Sequence, residues 1–394
     1  MNSVLPIART CPFAPPDEHV RLQETEPVAW VTLPSGDHAW ALSRIADIRA
    51  MLTDPRFTAD RTHPGVPQVE PGTRVVGGAV GRTMVSLDPP EHGRARGSVT
   101  GEFTVRRMAA LRPRIQRIVD ERIDALLAGS RPADLVQELS LPVPSLVICH
   151  LLGVPYDDHE FFQGHTATML RHTIPPEDRQ AALGQIYAHV SGLVSGKTTE
   201  PGDDLISRQL AGGAEPEDVV SLAMLLLVAG HETTANMISL GAMLLMDDPG
   251  QVAVLRADPG KTPAAVEEML RYFSIGEFAL SRVAVSDVEI GGQLIRAGEG
   301  VIVLNQAANR DPAVFPGGDR FDLERGSRHH IAFGFGAHQC LGQNLARMEL
   351  QIVFDTLFRR VPDIRLTTPV NDLPFKNDAR IFGLYQLPVT WDEK

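Results

Sequence analysis

A single cysteine, Cys340, stands in the glycine-rich stretch HHIAFGFGAHQCLGQNLAR, residues 329–347, of a chain with only three cysteines. Gly334, Gly336 and Gly342 surround it, and glycine lets a backbone turn sharply and approach another group closely. Directly afterwards Leu341, Leu345, Met348, Ile352 and Leu357 recur at helical spacing. Cys340 is therefore expected at a helix N-terminus, where free N–H groups and the helix dipole favour an anion, here a thiolate. A thiolate held that way is a metal ligand or a nucleophile, and the loop by itself does not decide which.

A second unusual stretch is PEDVVSLAMLLLVAGHETTANMISLGAMLLM, starting at Pro216. Pro216, Glu217 and Asp218 suit a helix start, and the apolar residues on nearly every face predict burial in a large core. Its middle carries Gly230, His231, Glu232, Thr233 and Thr234. A mid-helix glycine costs about 1 kcal/mol against alanine, a threonine there can bond the carbonyl one turn back, and a buried carboxylate needs partners. For Thr233 that carbonyl belongs to Ala229. Local rules broken together in a core helix point to function; on its own the segment equally fits a kinked structural helix with a satisfied polar patch.

Two weaker signals accompany these. In TPAAVEEMLRY, Thr262 is placed as N-cap and Pro263 as the first helical residue, and Glu268 and Arg271, three apart, share a face and can pair. Between residues 92 and 122 eight arginines stand against Glu102, Asp120 and Glu121, a basic patch able to bind an anionic group or an acidic partner.

The elements that must position these residues read as mostly helical. The chain has 394 residues and a formal net charge of −12, which argues against wholesale nucleic-acid binding. Cys11, Cys149 and Cys340 have no spacing for a disulfide framework or a zinc site. The first residues lack the apolar core of a signal peptide, and no apolar run approaches the ~18 residues of a spanning segment, so a cytoplasmic protein without a membrane anchor is expected. PVAWVTLP and HAWALS read as strands, with a helix over about 44–53. The long segment 62–93 reads as a loop, functional or disordered, residues 93 to about 270 as helices, and Gly291-Gly292 as a hairpin turn followed by a further strand. The expectation is one integrated domain over 1–394, mainly α with a small β-sheet lobe, its β-rich parts at about 25–45, 283–305 and 375–392.

Together these pieces resemble the cytochrome P450 superfamily of haem-thiolate monooxygenases, in the soluble actinobacterial form. FGFGAHQCLG matches the signature Phe-x-x-Gly-x-x-x-Cys-x-Gly through Phe333, Gly336, Cys340 and Gly342; EMLR matches Glu-x-x-Arg through Glu268 and Arg271; AGHETT matches the oxygen-activating helix motif. The resemblance covers essentially the whole chain and implies a helix-rich triangular prism with a smaller β-rich lobe. It implies haem b with Cys340 as the axial iron ligand, Phe333 shielding the sulfur, and His92, Arg96, Arg282 and His338 on the propionates. Glu232 and Thr233 become the acid–alcohol pair that supplies protons for dioxygen activation, with Ala229 and Gly230 leaving room for oxygen.

Glu268 and Arg271 become a structural ion-pair core completed by Arg320, although GDRF, with Gly318, stands where many relatives have Pro-x-Arg-Phe. Val85, Leu87, Leu226, Phe278 and Ile381 would line an apolar substrate pocket, with Arg74 and Arg82 near its loop. The resemblance further implies a monomer that takes electrons from a separate acidic ferredoxin and a ferredoxin reductase, with NAD(P)H acting only through them; Arg106, Arg107, Arg112 and Arg347 are the expected docking residues. The expected reaction is hydroxylation or epoxidation of a hydrophobic secondary metabolite or xenobiotic. Two alternatives stay open: a haem-thiolate peroxygenase, and a non-catalytic haem carrier or sensor.

Overall fold

A computed structural model describes residues 4–70 and 83–392. The N-terminal part holds α1 (Asp17–Thr25) and α2 (Ile45–Thr53), the latter as read from the sequence. Helices then follow almost without interruption: α3 (Glu91–Thr100), α4 (Val105–Ala128), α5 (Pro142–Leu152), α6 (His159–Leu170), α7 (Pro176–Thr199), α8 (Leu205–Ala211), α9 (Pro216–Asp247), α10 (Pro249–Ala257) and α11 (Thr262–Phe273). The short α12 (Asn305–Ala308) and the long α13 (Gln343–Arg360) complete the set.

The strands are short. β1 (Val28–Thr32), β2 (His38–Leu42) and β3 (Phe57–Thr58) lie before the helices and β4 (Ala133–Asp134) among them. After α11 come β5 (Arg282–Ala284), β6 (Val288–Ile290), β7 (Gln293–Ile295), β8 (Gly300–Val303), β9 (Arg365–Leu366) and β10 (Pro388–Thr390). One five-stranded sheet has the order β1-β2-β8-β5-β3. In it β2 and β8 run parallel, while β8 and β5 are antiparallel. The hairpin β6–β7 turns on Gly291-Gly292, as the sequence predicts. The expected β-rich stretch 375–392 is mostly irregular: only β10 is a strand there, pairing with β4 and β9.

α9 is the axis of the helical part. It is apolar on nearly every side because it packs against α5, α7, α11 and α13 at once. Among the described residues it is the one helix long and apolar enough, by length and composition, to cross a membrane. Val220, Met224, Leu227, Ile238 and Met243 instead spend that apolarity in one protein core with Ile115, Ile148, Phe273 and Phe354. Two smaller cores sit on the faces of the five-stranded sheet, one with α2 and Phe315, the other with Leu5, Leu22 and Leu33.

α11 does not start as expected. Thr262 is its first residue and Lys261 the cap, without a side-chain cap bond. The Thr262 hydroxyl instead donates to Asp355 of α13 at 2.5 Å, joining the two helices.

Candidate active site

The Cys340 loop is built by close backbone approach. Gly336 has φ +73°, and a Cβ there would lie 3.0 Å from the carbonyl oxygen of Leu52 at the end of α2, so this position admits only glycine. The Cys340 amide donates to the Phe333 carbonyl at 2.8 Å, closing the loop two residues before the Gly342 cap of α13. The thiol sits deep, and burial pushes its pKa up, against the opposing pull of the Gly342 amide, Arg96, Arg347 and the Gln343 amide. The helix end does not by itself make Cys340 an anion. A thiol raised by burial is a poor free nucleophile, whereas a bound metal deprotonates a thiol outright; of the two roles left open by the sequence, the ligand role fits.

The side chain of Cys340 is nonetheless accessible, and so is Ala229 in the middle of the otherwise buried α9. Groups that feel burial and yet meet solvent line an interior cleft. Four basic residues converge beside the cysteine loop. The His92 and His338 rings are 4.0 Å apart, Arg96 donates to the Gln339 carbonyl at 2.7 Å, and among the described residues buried Arg282 donates only to its neighbour Ser281, at 2.9 Å. Burial, then Arg282 and His92, push His338 down to about 4, so it is neutral at neutral pH. Burial and Arg61 lower Arg282 to about 10. Among the described residues Asp88 is the one acid acting on these groups, and it already accepts from the Thr58 hydroxyl and, at 2.8 Å, from the Ala59 amide. Two crowded guanidiniums and two imidazoles able to donate, with the nearby acid in use, suit a ligand that brings carboxylates.

On α9 the Thr233 hydroxyl donates to the Ala229 carbonyl at 2.9 Å, the bond read from the sequence. Gly230 has a different reason from the one expected. It faces α5, where a Cβ would lie 3.0 Å from Ile148, so its smallness serves helix packing. Glu232 is buried and paired with buried Lys376 at 2.5 Å, with Asn236 donating to the same Oε1 at 3.3 Å. Burial raises the Glu232 carboxyl, but Lys376, His231 and Asn236 outweigh it and hold it below the usual carboxylate range.

Glu268 and Arg271 are fully buried and joined by two 2.7 Å bonds. Arg271 also donates to the carbonyls of Asn309 (2.7 Å), Gly318 (2.8 Å) and Arg320 (3.3 Å). The third member of the ion-pair core is therefore not the Arg320 side chain, which is exposed; Arg320 offers only its carbonyl, and Arg325 approaches Glu268 at 3.7 Å. The departure at Gly318 costs nothing here, because its carbonyl is what Arg271 uses. The adjacent Glu267 ties α11 to both flanks of the cysteine loop, through His330 at 3.1 Å and Arg347 at 2.6 and 3.0 Å. Despite burial, these partners hold Glu267 down to about 2. Arg347, whose guanidinium also lies 4.5 Å from the Phe333 ring, is thus a structural cation and not a free docking group.

The chain matches the family model described as Cytochrome P450 over residues 261–372. It is 46% identical, over 98% of its own length and 96% of the relative's, to the vitamin D3 dihydroxylase of Streptomyces griseolus. Its fold is similar to the crystal structure of cytochrome P450 MoxA from Nonomuraea recticatena, at TM-score 0.93 and 54% identity over 100% of this chain and 99% of that one. CYP105P1 in complex with filipin I gives TM-score 0.95 at 44% identity, covering both chains fully. The chain belongs to the cytochrome P450 family.

As a P450 it is a monooxygenase whose family implies a haem cofactor and dioxygen, and the basic row beside Cys340 suits such a group. Of the residues expected at the P450 site, Cys340, His92, Arg96, Arg282 and His338 come together, as do Ala229, Thr233 and Glu232 on α9. Phe278 does not join a pocket: with φ +59° it turns to the N-terminal core, edge-on to His19 at 6.3 Å. Val85 is exposed, Leu87 and Ile381 half-buried and Leu226 buried in the helical core. Arg74 and Arg82 lie outside the described residues. Sequence reasoning missed Lys376, Glu267 and Arg325. A faint signal existed for Lys376, one of four lysines in the chain and preceded directly by Leu373, Pro374 and Phe375.

Proposed function

We propose that this P450 is a haem-thiolate monooxygenase that inserts one oxygen atom of dioxygen into an apolar or amphipathic small molecule, by hydroxylation or epoxidation, with electrons from a separate ferredoxin and its reductase. The observation that carries this reading is the row His92, Arg96, Arg282 and His338 beside Cys340, short of acids of its own. Haem b suits it: Cys340 would hold the iron, the four basic residues the propionates, and Phe333, Gly336 and Gly342 the cysteine side of the macrocycle. When bound, the group supplies dioxygen binding and the redox chemistry that splits the oxygen bond.

The rest falls to the chain. Cys340 keeps its sulfur close to the Gly342 and Gln343 amides, which temper electron donation. The Thr233 hydroxyl spends its proton on Ala229 at rest and turns into the cleft to donate it. Glu232 takes both its bonds on Oε1, leaving Oε2 to accept a proton from water and pass it on. Val85, Leu87, Leu226 and Ile381 supply an apolar wall for the substrate. The relative named for vitamin D3, a largely apolar molecule, supports that substrate class.

Turnover under labelled dioxygen tests the reading. One labelled atom per product is expected, only when NADPH, reductase and ferredoxin are all present. Equal product formation from hydrogen peroxide alone, without label, would contradict it in favour of a peroxygenase.

The electron donor is proposed to dock at the N-terminal half of α4, where Arg106, Arg107 and Arg112 are exposed. Arg107 has Glu102 near, at 3.9 Å, and Arg112 acts on Asp355 of α13; among the described residues neither Arg106 nor Arg112 joins an ion pair within 4 Å. Opposite charge steers association and is screened by salt. Replacing the three by alanine is expected to slow reduction by ferredoxin about tenfold or more at low ionic strength and to flatten its salt dependence. An unchanged rate and salt slope would place the donor elsewhere.

A further inference from the structure

Beyond Arg282 stand three further cations, Arg61, Arg380 and Arg179, that none of the roles above uses. Arg282 feels Arg61, Arg61 feels Arg380, and Arg380 feels Arg179, each lowering the next. Burial is the larger cause of the lowered pKa of Arg61 and of Arg380, yet both side chains are accessible. By the reasoning applied to Cys340, they line the interior cleft and not the outer surface.

The backbone places Arg380 between two parts of the cleft wall. Its amide donates to the Leu170 carbonyl at the end of α6 (3.2 Å), and the amide of Phe382 to the Ile275 carbonyl after α11 (3.0 Å). Arg61 is anchored, donating to the Ser281 hydroxyl at 3.2 Å and the Ala279 carbonyl at 2.9 Å. Arg380 is not. Among the described residues its guanidinium donates no hydrogen bond and joins no ion pair. Glu70 is the one acid that acts on it, and Glu70 is paired with His172.

We infer that Arg380, backed by Arg61, is a binding site for the carboxylate of an apolar substrate, which it holds by its acid end so that the hydrocarbon part extends toward Cys340. A guanidinium fork matches a carboxylate with two parallel bonds. An accessible guanidinium inside a cleft, with no protein partner among the described residues, is open to a ligand that supplies an anion. One anion suffices, because Arg61 already spends two donors on Ser281 and Ala279; a monoanionic carboxylate fits better than a dianionic phosphate. The inference rests on the monooxygenase reading and adds the substrate's polar end to it.

The holoprotein tests this by optical titration at pH 7 with dodecanoic acid and abietic acid, each beside its primary amide. Each acid is expected to bind about tenfold or more tightly than its amide, the discrimination of a charge-assisted bidentate contact. Arg380→Gln should abolish the preference and Arg380→Lys should keep part of it. Amides that bind as tightly as acids, an acid preference that survives Arg380→Gln, or a panel in which no acid binds would each overturn the inference. The ferrous–CO spectrum of the same samples separates the two levels: a thiolate-type band with no acid preference defeats only the carboxylate site, whereas a band that is not thiolate-type defeats the monooxygenase reading beneath it.

Discussion

Replacing Arg271 by methionine is expected to cost about 3–5 kcal/mol of folding free energy, because it leaves one partner of a fully buried ion pair without the other. Glu268 would keep its charge with only the Asp322 amide at 3.0 Å and Arg325 at 3.7 Å to answer it. The carbonyls of Asn309 and Gly318 would lose their donors as well. Set against a total stability of about 5–15 kcal/mol for a folded domain, this is a large fraction. Arg271→Lys should not rescue it, since one ammonium cannot replace a planar fork that serves a carboxylate and three separate carbonyls. Arg320→Ala, at the position that contributes only a carbonyl, should stay within about 0.5 kcal/mol of the native protein. Urea unfolding of the three variants distinguishes these cases; Arg271→Met and Arg320→Ala with equal midpoints would show that the buried network does not hold α11 to the irregular segment.

The second large effect centres on Glu232 and Lys376. Removing the ammonium by Lys376→Met should cost about 3–5 kcal/mol, again by stranding a buried charge, and Glu232→Gln in the same chain should recover most of it. The pH dependence gives the sign. In the native protein Glu232 is held below its ordinary range, so its contribution is complete above the unfolded carboxylate pKa and disappears as pH falls through the lower folded value. In Lys376→Met, burial dominates and raises the carboxyl, so that variant should lose stability as pH rises. A Lys376→Met protein with the native pH profile would contradict this assignment of the pair. Glu232→Gln alone should lower product turnover about a hundredfold or more, the usual worth of a positioned proton donor, with NADPH consumption falling less than product formation.

What was legible in the sequence follows from range. The cysteine loop, the start of α9, the Thr233 bond to Ala229 and the turn at Gly291-Gly292 are set by residues within a few positions of one another, where glycine geometry and helical spacing operate. The propionate-type row was legible only through resemblance, because α3, β5 and the cysteine loop are brought together by folding. Lys376 reaches Glu232 across 144 positions, and Glu267 reaches His330 and Arg347 across 63 and 80; no local pattern announces such pairs. Arg325 replaced Arg320 as the third member of the ion-pair core because the segment between α12 and α13 has no periodicity from which to read side-chain direction. Gly230 followed a packing need set by Ile148 on another helix. Phe278 was turned away from the pocket by a left-handed backbone conformation that a phenylalanine gives no reason to expect.

The ferrous–CO difference spectrum of the purified protein, beside that of Cys340→Ser, tests the central claim most directly. The expected result is a Soret band far to the red of a histidine-ligated haem, abolished in the variant. A histidine-type band that is the same in both proteins would show that Cys340 does not hold the iron, and the chemistry assigned to this cleft would fail with it.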